Sequence, residues 1–174
     1  MSLFRESSDV SVRPAVPEDD VLIAGLQLRA WSATHEQALG RVVLDGLDVM
    51  AFRHAWATAI TAPPSPRHHV LVACEGARVV GFAAVSVDDG GHGELVALEV
   101  DPPSRRSGHG SRLLAAAVDH LRQDGATEVE TWVLDGDSIR EQFLAGAGLG
   151  PDGAARDLAT GPRTVSEHLW HAAI

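Results

Sequence analysis

The stretch ELVALEVDPPSRRSGHGSRLLAAAVDHLRQDGATEVETWVL, Glu94 to Leu134, decides the architecture. Glu94–Val100 is a short, mostly apolar run stopped by Asp101-Pro102-Pro103, which reads as a strand. From near Gly110 to Gln123 the period changes, and Leu113, Leu114, Ala117, Val118 and Leu121 fall on one helical face. Gly125 follows at the C′ position, where a left-handed residue ends a helix. Glu128–Leu134 is again a strand. A strand, a helix and a strand in series predict a parallel pair joined by a right-handed crossover. Between the first strand and the helix lies Arg105-Arg106-Ser107-Gly108-His109-Gly110. Its glycines let the backbone approach a ligand with no Cβ in the way. The first N–H groups of the helix lack partners and lie at the positive end of its dipole, a geometry that binds phosphate.

The flanking segments extend this unit. Val10–Arg13 alternates up to Pro14 and reads as a short strand. Pro17-Glu18-Asp19-Asp20 suits a helix start, because proline lacks the N–H that would stay unpaired and the acids face the dipole. That helix runs through Leu22, Ile23, Leu26 and Leu28 toward Trp31. A second helix is expected from about Asp45 to Ile60, ended by Ala62-Pro63-Pro64-Ser65-Pro66. His69–Cys74 and Val79–Val87 flank a turn at Glu75–Arg78 and form a hairpin. Downstream come a short helix at Asp137–Ala145, closed by Gly146 and Gly148, and weaker strands near Ala154–Leu158 and Thr164–His171. The order β-α-α-β-β-β-α-β-α-β-β predicts an α/β fold in which a mixed, mostly antiparallel sheet carries helices on both faces. Residues 1–174 are expected to form a single domain.

Composition narrows the function classes. A formal net charge of −10 argues against nucleic-acid binding, which gains affinity by neutralising phosphates. It suits a cationic substrate through long-range attraction. No apolar run reaches the length of a membrane span, so no membrane association is expected. Met1–Asp9 has no apolar core of a signal peptide. The single cysteine, Cys74, cannot form an internal disulfide, and a cytoplasmic location is expected. Set among Val70, Leu71 and Val72, it reads as packing rather than a nucleophile. His68-His69 and His168-x-x-His171 have no cysteine or carboxylate at ligand spacing, so no metal is expected.

The loop is not a Walker motif, since the chain has no lysine, and it lacks the third glycine of a Rossmann fingerprint. Arg105-x-x-Gly108-x-Gly110, placed after Leu98-Glu99-Val100-Asp101-Pro102 and before Leu113-Leu114, resembles the acyl-CoA pyrophosphate motif of GNAT acetyltransferases. The resemblance runs from Val12-Arg13-Pro14-Ala15 through Val80-Gly81-Phe82-Ala83 and Thr131-Trp132-Val133-Leu134 to Phe143 and Gly148-Leu149. It implies an acyl-CoA-dependent N-acetyltransferase that uses acetyl-CoA and acts on a small-molecule or peptide amine. It implies that backbone groups of Leu98 and Val100 pair with the pantetheine arm. It also implies that N–H groups of Arg106, Ser107, Gly108, His109, Gly110 and Ser111 hold the pyrophosphate, with Arg105 and Arg106 adding charge. Phe143 reads as core that touches the cofactor; Trp31 and His35, at i and i+4 on the first helix, lie where the resemblance implies the acceptor site, with core packing for Trp31 and a plain surface role for His35 as the alternatives. A homodimer is left open.

The chain departs from the family on the last helix. Members often read Asn-x-x-Ala-x-x-Phe-Tyr there; this frame is Asp137-Ser138-Ile139-Arg140-Glu141-Gln142-Phe143-Leu144. Leu144 replaces the tyrosine that often protonates the leaving thiolate, and the chain has no tyrosine. Asp137 can still cap the helix. A thiol pKa of about 8.5 makes thiolate a tolerable leaving group, whereas neutralising an alkylammonium of pKa about 10.4 at pH 7 costs roughly 4.6 kcal/mol. The base therefore matters more than the acid. Glu94, eleven residues before Arg105, stands where some family members carry a glutamate base. In a regular strand it would share a face with Val96, Leu98 and Val100, leaving Glu99 opposite; a bulge would change that parity, so Glu99 is the second candidate. Two rival readings are a non-catalytic acyl-CoA-binding or regulatory module and a nucleotide-phosphate binder using the same loop.

Overall fold

Val70–Cys74 has no polar member because the sheet is covered on both faces at that point. Leu71 and Ala73 pack into one core with Leu113, Ala117 and Leu121, while Val72 and Cys74 pack into another with Ile23, Leu26 and Phe82. These details come from a computed structural model that describes residues 9–174. The expectation about a leader at Met1–Asp9 falls, save for Asp9, outside the described residues.

The strands are β1 (Val10–Pro14), β2 (His68–Glu75), β3 (Arg78–Val87), β4 (Gly93–Val100), β5 (Glu128–Leu134), β6 (Gly150–Ala159) and β7 (Thr164–Ala173). They form one sheet in the order β1-β2-β3-β4-β5-β7-β6. Only β4 and β5 run parallel; the other neighbouring pairs are antiparallel. The helices are α1 (Asp20–Thr34), α2 (Glu36–Leu39), α3 (Arg41–Asp45), α4 (Val49–Thr61), α5 (His109–Gln123) and α6 (Ser138–Gly146). The mixed, mostly antiparallel sheet with helices on both faces is the architecture expected from the element order. Among the described residues no helix is long and apolar enough to cross a membrane.

The main boundary difference lies between the first two expected helices. The second begins at Val49 rather than Asp45, because the Asp48 carboxylate accepts from the N–H groups of Met50 at 2.9 Å and Ala51 at 3.3 Å and caps it there. The intervening chain forms the short α2 and α3, separated by Gly40 at φ 80°. The last two strands are longer than expected, and β6 absorbs a register shift between Pro151 and Ala155.

The second difference concerns β4. Val85 pairs with Leu95 and Ala84 with Ala97, so Val96 is an extra residue in a bulge. Leu95 and Leu98 consequently both enter the core beneath α5, although they are three apart. Ala97 packs on the opposite side, with Ile23 and Phe82. Glu94 therefore shares a face with Ala97 and Glu99 rather than with Leu98 and Val100, which corrects the regular-strand parity. That face is the one covered by α1.

Candidate active site

β4 and β5 are joined only at their N-terminal ends, through Gly93–Val129 and Glu94–Glu130. Thr131 Oγ1 adds a hydrogen bond to the Leu95 carbonyl at 2.8 Å. Gly93 permits this close junction: a Cβ there would stand 2.6 Å from the Glu128 carbonyl oxygen. Beyond it the strands diverge, and the opening between them holds two cavities. One, of about 590 Å³, is walled by Leu98, Val100, Arg106, Gly108, Ser111 and Phe143. The other, of about 270 Å³, lies under α1 and is walled by Trp31, His35, Val96, Trp132, Leu134 and Glu167. Leu98, Glu99, Asp137 and Arg140 line both, so the cavities meet there.

The larger cavity ends on the glycine loop. Arg106 at φ 62° and Gly108 at φ 80° bend the backbone into the start of α5. Among the described residues no side chain caps that helix, and Arg112 N–H is the first to find an acceptor in it, Gly108 O at 3.1 Å. The N–H groups of His109, Gly110 and Ser111 are thus left for a ligand. The His109 side chain points away, buried against Glu75 Oε1 at 2.9 Å. Arg105 lines this cavity with its guanidinium held by protein acceptors. Its Nε donates to Val100 O at 3.3 Å and its Nη2 to Thr34 Oγ1 at 3.0 Å, which ties the loop to the end of α1.

Backbone polarity along β4 follows from alternation. Asp101 N–H donates to Val80 O, on the β3 side. Val100 and Leu98, at alternate positions, therefore turn their N–H and C=O toward the opening. The Val100 carbonyl already accepts from Arg105, leaving its N–H and both groups of Leu98 for a ligand.

The other expected site residues are distributed unevenly. Trp31 and His35 line the smaller cavity, with ring centroids 6.1 Å apart. Burial holds the His35 imidazole below the ordinary histidine range; Glu99 and Asp137 pull against it, while Arg140 and Arg105 reinforce it. Glu99 is buried at the meeting point of the cavities, with Oε1 2.9 Å from Arg140 Nη2. Glu94 lies on the same face but does not line either cavity. Burial raises its carboxyl above the usual range, the neighbouring Glu130 carboxylate raises it further, and Arg156 opposes both. Phe143 lines the larger cavity and sits over Gly110. Leu144 does not face either cavity: it is 0% exposed, in the core beneath α5.

Sequence reasoning overlooked Arg140, Trp132, Thr34 and Glu130. Arg140 was legible as a departure, since the resembling helix carries alanine there. The Trp132 position follows from strand alternation, because Val129 and Val133 point into the α5 core. Nothing in the sequence signals that Thr34 would receive Arg105 from 71 residues away. Asp137 does cap α6, accepting from Arg140 N–H at 3.0 Å. Among the described residues no three His, Cys, Asp or Glu side chains gather as a metal site would require.

The model of the Acetyltransferase (GNAT) family matches residues 30–145. The chain is 28% identical over 130 residues to an uncharacterised N-acetyltransferase, YuaI, of Bacillus subtilis (strain 168), covering 72% of each chain. It is 35% identical over 108 residues to the mycothiol acetyltransferase of Clavibacter sepedonicus, covering 62% of this chain and only 32% of that longer protein. The PaiA N-acetyltransferase of Thermoplasma acidophilum, solved with coenzyme A, superposes with a TM-score of 0.81 over 95% of this chain and 99% of that one, at 15% identity. With a family model spanning two thirds of its length and the family's loop at the head of α5, this chain belongs to the GNAT acetyltransferase family.

Proposed function

We propose that this chain is an N-acetyltransferase that moves an acetyl group from acetyl-CoA to a primary amine by direct attack. The observation that carries the reading is the meeting of two cavities at Leu98, Glu99, Asp137 and Arg140: one runs to an open helix N-terminus, the other to an aromatic and acidic pocket. The residues fit the cofactor. A pyrophosphate would be held by the N–H groups of Arg106 to Ser111. A pantetheine amide would pair with Leu98 and Val100, and Phe143 would flank the arm. Acetyl-CoA supplies the activated acyl carbon. An N–H of the Leu98–Val100 segment stabilises the oxygen of that carbonyl as it gains charge.

The smaller cavity takes the amine. Trp31 and His35 form one wall, and the carboxylates of Glu99, Asp137 and Glu167 attract the ammonium. Glu94 accepts its proton through water, since that carboxylate lies on the acceptor face but off the cavity. Its raised pKa makes it a better base than a free carboxylate. Glu99 is committed to Arg140 and acts as an orienting group. One sheet takes strands from both ends of the described chain, which supports a single domain. The buried free thiol of Cys74 supports a reducing, cytoplasmic location.

The test is thiol release from acetyl-CoA across a broad panel of amines. Turnover with any amine supports the enzyme; CoA binding with no turnover on the whole panel supports a binding module instead. ATP or NAD binding more tightly than CoA would replace both with a nucleotide-phosphate reading.

A further inference from the structure

We propose that Arg140 is the group that stabilises the leaving sulfur, as a fixed cation in place of a proton-donating acid. This rests on the acetyl-CoA reading. Donor and acceptor can react only where their cavities meet, and Arg140 is the only cation among the four residues that line both. Its side chain is one-fifth exposed, and its backbone N–H is pinned to the Asp137 cap. A guanidinium has five N–H donors. Among the described residues the side-chain acceptor it meets is Glu99, through Nη2, so donors remain for an anion in the opening.

The sequence departure agrees with this placement. In the helix frame that the chain otherwise resembles, Arg140 stands in place of a small residue and Leu144, one turn later, in place of the tyrosine. One acid is lost and one fixed charge is gained, and Leu144 is sealed in the core where it could not act on sulfur. The step balances without an acid. The amine nitrogen forms the N–C bond, the C–S bond breaks, and its electron pair stays on sulfur. Of the two protons the ammonium must lose, the first passes through water to Glu94 before attack, and the second leaves nitrogen for solvent water once the N–C bond has formed. The sulfur anion rests against Arg140 and later takes a proton from solvent. Glu99, beside Arg140, lies on the side where positive charge develops on nitrogen, so the ion pair complements and stabilises the charge separation of the reaction.

The experiment titrates the thiol of bound coenzyme A by its ultraviolet thiolate band, with the desulfo-coenzyme A complex as blank. Calorimetry measures coenzyme A binding separately. Wild-type protein should ionise the bound thiol at least one pH unit below the thiol of free coenzyme A, about a tenfold gain in thiolate at a given lower pH. Arg140→Gln should abolish that shift while coenzyme A still binds. Because Arg140→Gln strands a buried carboxylate, Arg140→Gln/Glu99→Gln serves as the second variant and should abolish it too. A bound thiol that ionises alike in the wild type and both variants overturns the proposal. Failure of coenzyme A to bind wild-type protein instead overturns the acetyl-CoA reading on which it rests.

Discussion

Gly108 separates folding from cofactor binding more cleanly than any other position in the loop. It sits at φ 80° as the N-cap of α5, and a Cβ there would stand 3.1 Å from Arg112 Nη1. An L-residue held left-handed costs about 1–2 kcal/mol. The Arg112 guanidinium is exposed and, among the described residues, bonded only to Ser107 O, so it can swing aside at little further expense. Gly108→Ala should therefore lower Tm by about 2–8 °C, taking 2–4 °C per kcal/mol for a chain of this size. It should keep most of the affinity for coenzyme A. Gly108→Glu carries the same backbone strain and places a carboxylate near the expected pyrophosphate. Like unit charges about 5 Å apart at an effective dielectric constant of 20–40 give roughly 2–3 kcal/mol of repulsion, or about 30–200-fold in Kd. Steric filling of the anion site adds to this, so binding should fall below detection in calorimetry, with Tm close to that of the alanine variant. Wild-type affinity in a folded Gly108→Glu protein would refute the placement of the pyrophosphate on this loop.

Three further outcomes follow from the site. Glu94→Gln should lower kcat by about 10²-fold or more with acetyl-CoA affinity unchanged, and the defect should shrink as pH rises toward the amine pKa; a wild-type rate moves the base elsewhere. Because Glu94 must be ionised to accept a proton and its pKa is raised by burial and then by Glu130, kcat/KM should fall as pH drops through that raised value. Glu130→Gln removes the like charge and should move this acid limb to lower pH; an unmoved limb assigns it to another group. Leu144→Tyr should yield no rate gain and cost about 1–3 kcal/mol of stability, since the larger ring must enter a filled core; a hundredfold faster single turnover in a stable variant would contradict this.

The periodic elements were legible because local pattern and tertiary placement agree in them. The α5 stripe of Leu113, Leu114, Ala117 and Leu121 is the face that enters the core, and Glu128–Leu134 is β5 to the residue. The loop was legible because glycine and arginine at a helix start carry their own physics. Other features depended on distant partners. The Arg105 guanidinium is held where it is because Thr34 and the Val100 carbonyl receive it, and Leu144 is core because α6 docks with that edge inward. Neither is encoded in a local period. The start of α4 was misplaced for another reason: Asp45 and Asp48 are both acceptable caps by composition, and only Asp48 has N–H groups of a following turn within reach.

The bulge at Val96 joins three features of the site that otherwise look independent. In an unbulged β4, Leu95 and Leu98 would face opposite sides, and Glu94 and Glu99 would do the same. One of the two carboxylates would then point into the core beneath α5, among Val85, Leu113 and Ala117. Burying an unpaired carboxylate there would cost several kcal/mol. The extra residue puts both leucines in the core and both glutamates on the α1 face. It also leaves Val96 itself 56% exposed, lining the smaller cavity at the point where β4 has parted from β5. A strand regular to its end could continue its ladder to β5; this one makes two register pairs and stops. The opening that admits a ligand and the side of the sheet on which the two carboxylates stand therefore have one common origin in β4.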